Sequence, residues 1–162
     1  MFTSHPTDTS QSRPKYVALQ WIALALGVIF LIVGVLSFIP GVTHHYDELT
    51  LTGHHSEAAL LGVLDVSVVR NVVHLLFGVG GIALARKSSG ARKYLLGGGL
   101  VYLVVFFYGL VIDHDSTAAV LPDNDTDNWL HLATAVLMVV LGAVPGLNRR
   151  AVDHHAEPNT GP

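Results

Sequence analysis

Cysteine is absent from the chain. That one gap removes disulfide bridges, thiolate nucleophiles and cysteine-ligated metals together. Charge is scarce as well. Nine lysines and arginines and twelve aspartates and glutamates make up 13% of the 162 residues, against about a quarter in a soluble domain. A soluble helical bundle needs a polar face on each helix, and so few charges do not supply one. The formal net charge of −3 provides no basic surface, so no nucleic-acid partner is expected. Catalytic patterns are missing too. No Ser/His/Asp arrangement and no pair of carboxylates within an apolar stretch is present, and "FGVGG" at 77–81 is not a G-x-G-x-x-G phosphate loop. An enzyme is not expected.

What the chain has in abundance is apolar sequence. Hydrophobic residues make up 51%, and the mean hydropathy is +0.50. Crossing a bilayer core of roughly 30 Å takes about 20 helical residues. Four stretches meet that length: 17–38, 66–85, 95–112 and 129–147. The apolar run of the first exceeds a signal-peptide core, and no small-residue cleavage site follows it, so it reads as a retained helix. The expected fold class is all-α: a four-transmembrane-helix bundle, running up-down-up-down, in one domain over residues 15–147.

Basic residues set the expected orientation. Arg13 and Lys15 precede the first span, Arg86, Lys87, Arg92 and Lys93 lie between the second and third, and Arg149 and Arg150 follow the fourth. Such a one-sided distribution marks the cytoplasmic face, which puts both termini in the cytoplasm and the protein in the plasma membrane. The other two connections carry Asp47, Glu48, Glu57, Asp65, Asp113, Asp115, Asp123, Asp125 and Asp127. Residues 1–14 and 148–162 read as disordered cytoplasmic tails. In the first outer connection Ser56 and Glu57 read as a helix start, with Ala58–Leu64 a short apolar helix. In the second, "PDND" gives a turn.

The second span holds an anomaly. "VVRNVVHLLFGVGG", 68–81, carries Arg70, Asn71 and His74 in an otherwise apolar run. Residues three and four apart share a helix face, so Ser67, Arg70, Asn71, His74, Gly78, Gly81 and Ala85 form one stripe. Related stripes run through Gln20, Gly27 and Gly34, through Gly98, Tyr102, Gly109 and Asp113, and through Asn128, His131, Ala135, Met138 and Gly142. Small residues let membrane helices approach, and polar ones hydrogen-bond between them. The stripes therefore predict an inward seam of Arg70, Asn71, His74, Asn128 and His131.

"NVVHL" at 71–75 recurs as "NWLHL" at 128–132, which suggests a parallel two-helix repeat about an axis along the membrane normal. Counting helix rise from Arg86 and Arg149 places His74 roughly 18 Å and His131 roughly 27 Å from the inner face. Asn128 then reads as the N-cap of the fourth span. Arg70 is expected to snorkel, or to pair with an outer acid such as Asp65, Asp113 or Asp115.

The stretch "YDELTLTGHHSEAALLGVLDVSVVRNVVHLLFGVGGIALAR", with "DNWLHLATAVLMVVLG" after it, resembles a family of small four-span bacterial membrane proteins, a domain of unknown function, DUF4383. The resemblance runs from about Tyr46 to Gly142 and is most specific at 71–78 and 128–132. It implies a four-helix integral membrane protein and no particular activity. The family pattern commonly has histidine where this chain has Arg70, so a role for paired histidines there does not carry over.

The composition and seam together predict a structural or accessory membrane component, whose partners are the bilayer and a second copy or another membrane protein. No cofactor is required by this reading. Three alternatives stand beside it. His74 and His131 could hold a haem b, although their depth difference of about 9 Å opposes a shared one. His44, His45, His54 and His55, with Asp47 and Glu57, could bind a divalent metal. The intramembrane ionisable residues could serve small-solute or proton transport.

Overall fold

The structure, a computed structural model, describes residues 17–52, 56–111 and 125–148. The segment 1–14 and residues 149–162 fall outside the described residues. So do Arg13, Lys15, His54, His55, Asp113, Asp115, Asp123, Arg149 and Arg150.

The described chain is mostly helical. Its four helices are α1 (Ala18–Leu36), α2 (Val68–Leu84), α3 (Ser88–Val111) and α4 (Asp125–Ala143). Three of them, α1, α3 and α4, are long and apolar enough to cross a membrane. The fourth, α2, is apolar but has 17 residues, at the short end of the roughly 17–25 that a span uses.

Local chemistry explains the helix ends, and two of them depart from expectation. α3 begins seven residues before the expected 95, because the sequence "SSGARKY" contains no proline, its glycine falls in the first turn, and Ala91 already donates its N–H to the Lys87 carbonyl at 2.9 Å. Only Ala85, Arg86 and Lys87 then separate α2 from α3. α4 begins at Asp125 and stops at Ala143, not at 147. Pro145 disfavours a helical residue before it, and Pro145–Asn148 turns in a 3-10 helix instead. Asn128 is consequently inside the first turn of α4 and is not its N-cap. Ser67 does cap α2: it is extended, and its hydroxyl accepts the Arg70 N–H at 3.3 Å.

The expected short helix at 58–64 is instead part of a three-stranded antiparallel sheet, β1 (Thr43–His44), β2 (Ala59–Leu60) and β3 (Leu64–Asp65), in that order. Thr43 pairs with Leu60, and Leu60 with Leu64. The chain reverses through Leu61 at φ 52° and Gly62 at φ 72°, left-handed conformations that no right-handed helix contains. Ser56, read as a cap, donates its hydroxyl to the Val66 carbonyl at 2.5 Å. The segment after the 3-10 turn at Tyr46–Glu48 also serves α2. The carbonyls of Thr50 and Leu51 accept the N–H groups of Val68 and Val69, both at 3.0 Å, which would otherwise be orphans of the first turn.

The helices pack as two antiparallel hairpins. In the first, a Cβ on Gly27 would lie 2.8 Å from the Ile82 nitrogen and 3.0 Å from the Gly78 oxygen, so α1 and α2 touch backbone to backbone. In the second, Gly99 faces Ala135 and Val139, and Gly142 faces Leu95 and Leu96. α3 also lies against α1 and α2, through Tyr94, Tyr102 and Phe77. The core joins Leu19, Ala23, Phe30, Ala91, Leu95, Ala135 and Met138. A smaller cluster of Ala58, Leu60 and Val66 packs the sheet onto the end of α1.

Polarity is distributed the opposite way from a soluble protein. Ile29, Ile32, Leu76, Val79, Leu100, Val104, Leu110, Val136 and Val140 face outward, on all four helices, while Gln20, Ser37, Ser67, Arg70, Asn71, Asp127 and His131 are buried.

Candidate functional site

The seam is built around one ion pair. Arg70, in the first turn of α2, meets Asp127, in the first turn of α4, as a two-pronged fork. Nη1 donates to Oδ2 at 2.9 Å and Nη2 to Oδ1 at 2.7 Å. The guanidinium also donates to the main-chain oxygen of Asp65 at 2.5 Å, and Asp127 Oδ2 accepts the Asp65 N–H at 3.1 Å. Asp127 is 0% exposed and Arg70 6%. Parallel N–H···O bonds of this kind fix geometry as well as contributing energy, so this fork locks the start of α2, the end of β3 and the start of α4 to one another. Of the two expected fates of Arg70, pairing is the one present. Its side-chain partner is Asp127, with Asp65 contributing its backbone.

Asn71 is wholly buried and donates to the Ser37 carbonyl at 3.4 Å; its Oδ1 has no hydrogen-bond partner. The same Ser37 oxygen accepts from Thr43 Oγ1 at 3.1 Å. At the opposite end of the hairpin, Gln20 does the matching work. Its Nε2 donates to the Ala85 carbonyl at 2.8 Å, and its Oε1 accepts the Val17 N–H at 3.1 Å. α1 and α2 are thus tied at both ends by side-chain amides.

His74 stacks on Phe30 with ring centroids 5.9 Å apart, Phe30 stacks on Tyr102 at 5.4 Å, and Tyr102 meets His131 at 5.6 Å. Nδ1 of His74 is buried without a hydrogen-bond partner, as is Oδ1 of Asn128. Both histidines line one cavity of about 180 Å³. α1 contributes Phe30 and Val33 to it, the sheet region Leu60 and Val66, and α4 Leu130 and Leu137. A smaller cleft of about 40 Å³ opens between α2 and α3, and Arg70, His74, Tyr102 and His131 line it too. His74 and His131 therefore meet at one cavity and are not held apart by depth. Helix rise does not carry from His131 to Arg149, because α4 ends at Ala143. Measured from their own helix starts, Val68 and Asp125, His74 and His131 stand at the same position, six residues in.

The cavity does not suit a haem. Pockets for drug-sized ligands hold roughly 300–1,000 Å³, and this one is smaller than the bottom of that range. Among the described residues the candidate metal ligands are not gathered either. His44 and His45 are exposed neighbours, with His45 in a left-handed conformation at φ 49°. Glu57 is also exposed. Among the described residues no three His, Asp or Glu side chains lie close enough to hold a metal ion. His54 and His55 lie outside the described residues.

Two members of the site were not singled out from sequence. Asp127 looked like one more outer acid, although it directly precedes Asn128 as Arg70 precedes Asn71. Tyr102 was legible only as part of a small-residue stripe.

No curated protein and no solved structure matches the chain. The model of one family, described as a domain of unknown function (DUF4383), matches residues 20–144. This range spans α1 through α4 and includes every residue of the seam, and the chain belongs to that family.

Proposed function

We propose that the chain is a four-span integral protein of the bacterial plasma membrane, with α1–α4 running up-down-up-down and both termini in the cytoplasm. Its role is structural or accessory and non-catalytic, and it operates through a polar seam that clamps two helical hairpins together. One observation carries this reading: the buried Arg70–Asp127 pair inside a bundle whose helices turn Val, Leu, Ile, Phe and Trp outward. In water that arrangement would leave a large apolar surface wet and a charge pair desolvated. In lipid the apolar surface meets acyl chains, and the pair, enclosed by the helices and bonded to itself, is kept from them.

The orientation is supported by the ends of the hairpins. The turn between α2 and α3 holds Arg86 and Lys87, with Arg92 and Lys93 on the first turns of α3, while the sheet end holds Asp47, Glu48, Glu57 and Asp65. Basic residues favour the cytoplasmic side. The short α2 reaches across because the seam end is covered by the sheet, which extends the protein beyond the helix.

The absence of cysteine makes the test direct. Single cysteines at Lys87 and at Glu48 are introduced in turn, and intact cells are labelled with a membrane-impermeant maleimide. Glu48→Cys labels from outside and Lys87→Cys only after the membrane is opened. The opposite pattern, or extraction of the protein by carbonate, overturns the proposal.

A further inference from the structure

The 180 Å³ cavity has an unusual construction. Its walls are mostly apolar and come from α1, α4 and the sheet region, and Arg70, His74, Tyr102, His131 and Thr134 line it as well. α1 and α4 belong to different hairpins and scarcely touch. Ile29 on α1 and Leu130 and Leu137 on α4 line the cavity yet are half exposed. The cavity is therefore open sideways, between α1 and α4, on the molecule's apolar flank. We propose that it is a binding site for a lipid-soluble molecule with a neutral, hydroxylated six-membered ring as head and an apolar tail, of the alkylphenol or quinol class, entering from the bilayer between α1 and α4.

Three features select that class. Size is the first: a cavity of about 150 Å³ accepts benzene, so 180 Å³ accepts one ring with a small substituent and no fused system. Charge is the second. Arg70 already has its counter-ion in Asp127, so a charged head would be buried without one, at a cost of several kcal/mol or more. Hydrogen bonding is the third. His74 and Tyr102 line the cavity, and the imidazole of His74 has a nitrogen, Nδ1, without a hydrogen-bond partner. A neutral imidazole nitrogen either donates or accepts, and a hydroxyl satisfies both cases, whereas a ketone or ether oxygen satisfies only one. The ring face finds Phe30 and Tyr102, already stacked at 5.4 Å, and the tail leaves past Ile29 and Leu137.

The inference rests on the four-span reading for its route of entry, and the cysteine labelling described above reports on that reading separately. The full chain in lipid nanodiscs is titrated with 4-pentylphenol and, in parallel, with pentylbenzene, which lacks the hydroxyl. Empty nanodiscs give the lipid background. The ¹⁵N-labelled histidine resonances are followed, and His74 is assigned from the His74→Leu variant. Saturable 4-pentylphenol binding is expected, at least fivefold tighter than pentylbenzene, with the His74 nitrogens shifting. In His74→Leu the preference should fall to about one. Should that variant not fold, Leu137→Trp serves in its place: it fills the mouth from an outward-facing position and weakens both probes without touching the ring site. Equal affinities, an unmoved His74 resonance, uptake no greater than in empty nanodiscs, or unchanged binding in Leu137→Trp with topology intact would each overturn the site.

Discussion

The two helices that carry N-x-x-H-L can be laid on each other residue for residue. α2 begins at Val68 and α4 at Asp125. Arg70 then corresponds to Asp127, Asn71 to Asn128, and His74 to His131. The copies share the asparagine, the histidine and the leucine after it; they differ at several other positions, Phe77 against Thr134 among them, and most sharply where one has a cation, Arg70, and the other an anion, Asp127. Those two residues are the ones bonded to each other. A repeat of identical charges would have placed like charges across a buried junction. The copies have instead become complementary at the position where they meet. Their surroundings differ as well: Asn71 is wholly buried with a carbonyl partner across the hairpin, whereas Asn128 is half-buried.

The largest effect should come from breaking the fork. Arg70→Met or Asp127→Asn leaves a buried charge unanswered, at a cost of about 3–5 kcal/mol, read as a lower unfolding midpoint in detergent. The sharper experiment is the exchange, Arg70→Asp combined with Asp127→Arg. If the two copies are equivalent, the exchanged pair recovers a clear part of the loss. Recovery stays incomplete because the Asp65 carbonyl, which now accepts from Arg70, would face a carboxylate. No recovery at all would mean that the correspondence between α2 and α4 is one of sequence only.

The same comparison shows what could be read from sequence. The helices were legible because long apolar runs have few competing interpretations, and the inward placement of Asn71 and His74 followed from helical spacing. Asp127 was missed through a boundary. With the fourth helix started at Trp129, Asn128 looked like a cap and Asp127 like loop; with the start at Asp125, Asp127 falls on the seam face beside His131. The sheet was illegible for a different reason. Its strands are two residues long, too short for alternation to register, and the reversal uses a leucine at positive φ beside the glycine. Propensity gives no warning of that. The cavity depends on two hairpins failing to close at α1 and α4, which is a property of packing and not of any one segment.

A second contrast separates the hairpin interfaces. At Gly27, Gly78 and Gly81 in α1–α2 the nearest obstacle to a side chain is a backbone atom: a Cβ on Gly81 would sit 2.7 Å from the Gly27 Cα. In α3–α4 the obstacle at Gly98 is the terminal methyl of Met138, at 2.5 Å, the far end of a flexible chain. Gly81→Ala should therefore cost about 1–3 kcal/mol through enforced separation of the helices, and Gly98→Ala below about 1 kcal/mol, because methionine repacks. Gly80, which has open space around its missing Cβ, provides the control: Gly80→Ala should be neutral or stabilise by up to about 1 kcal/mol. Equal losses at Gly81 and Gly98, by thermal unfolding in the same detergent, would show that the two interfaces yield alike.

The smallest expected difference lies in the asparagines. Asn71→Ala removes a donor to the Ser37 carbonyl, whose 3.4 Å length marks a weak bond, together with an oxygen that has no partner, and the loss should fall at the low end of about 0.6–2 kcal/mol. Asn128→Ala removes an amide whose buried oxygen has no partner. Deleting an unsatisfied acceptor relieves a desolvation cost rather than adding one, so the change should be within about 0.5 kcal/mol of zero or slightly stabilising. An Asn128→Ala loss as large as that of Asn71→Ala would mean that the second asparagine has a protein or lipid partner in the membrane, and that the two copies share a role as well as a pattern.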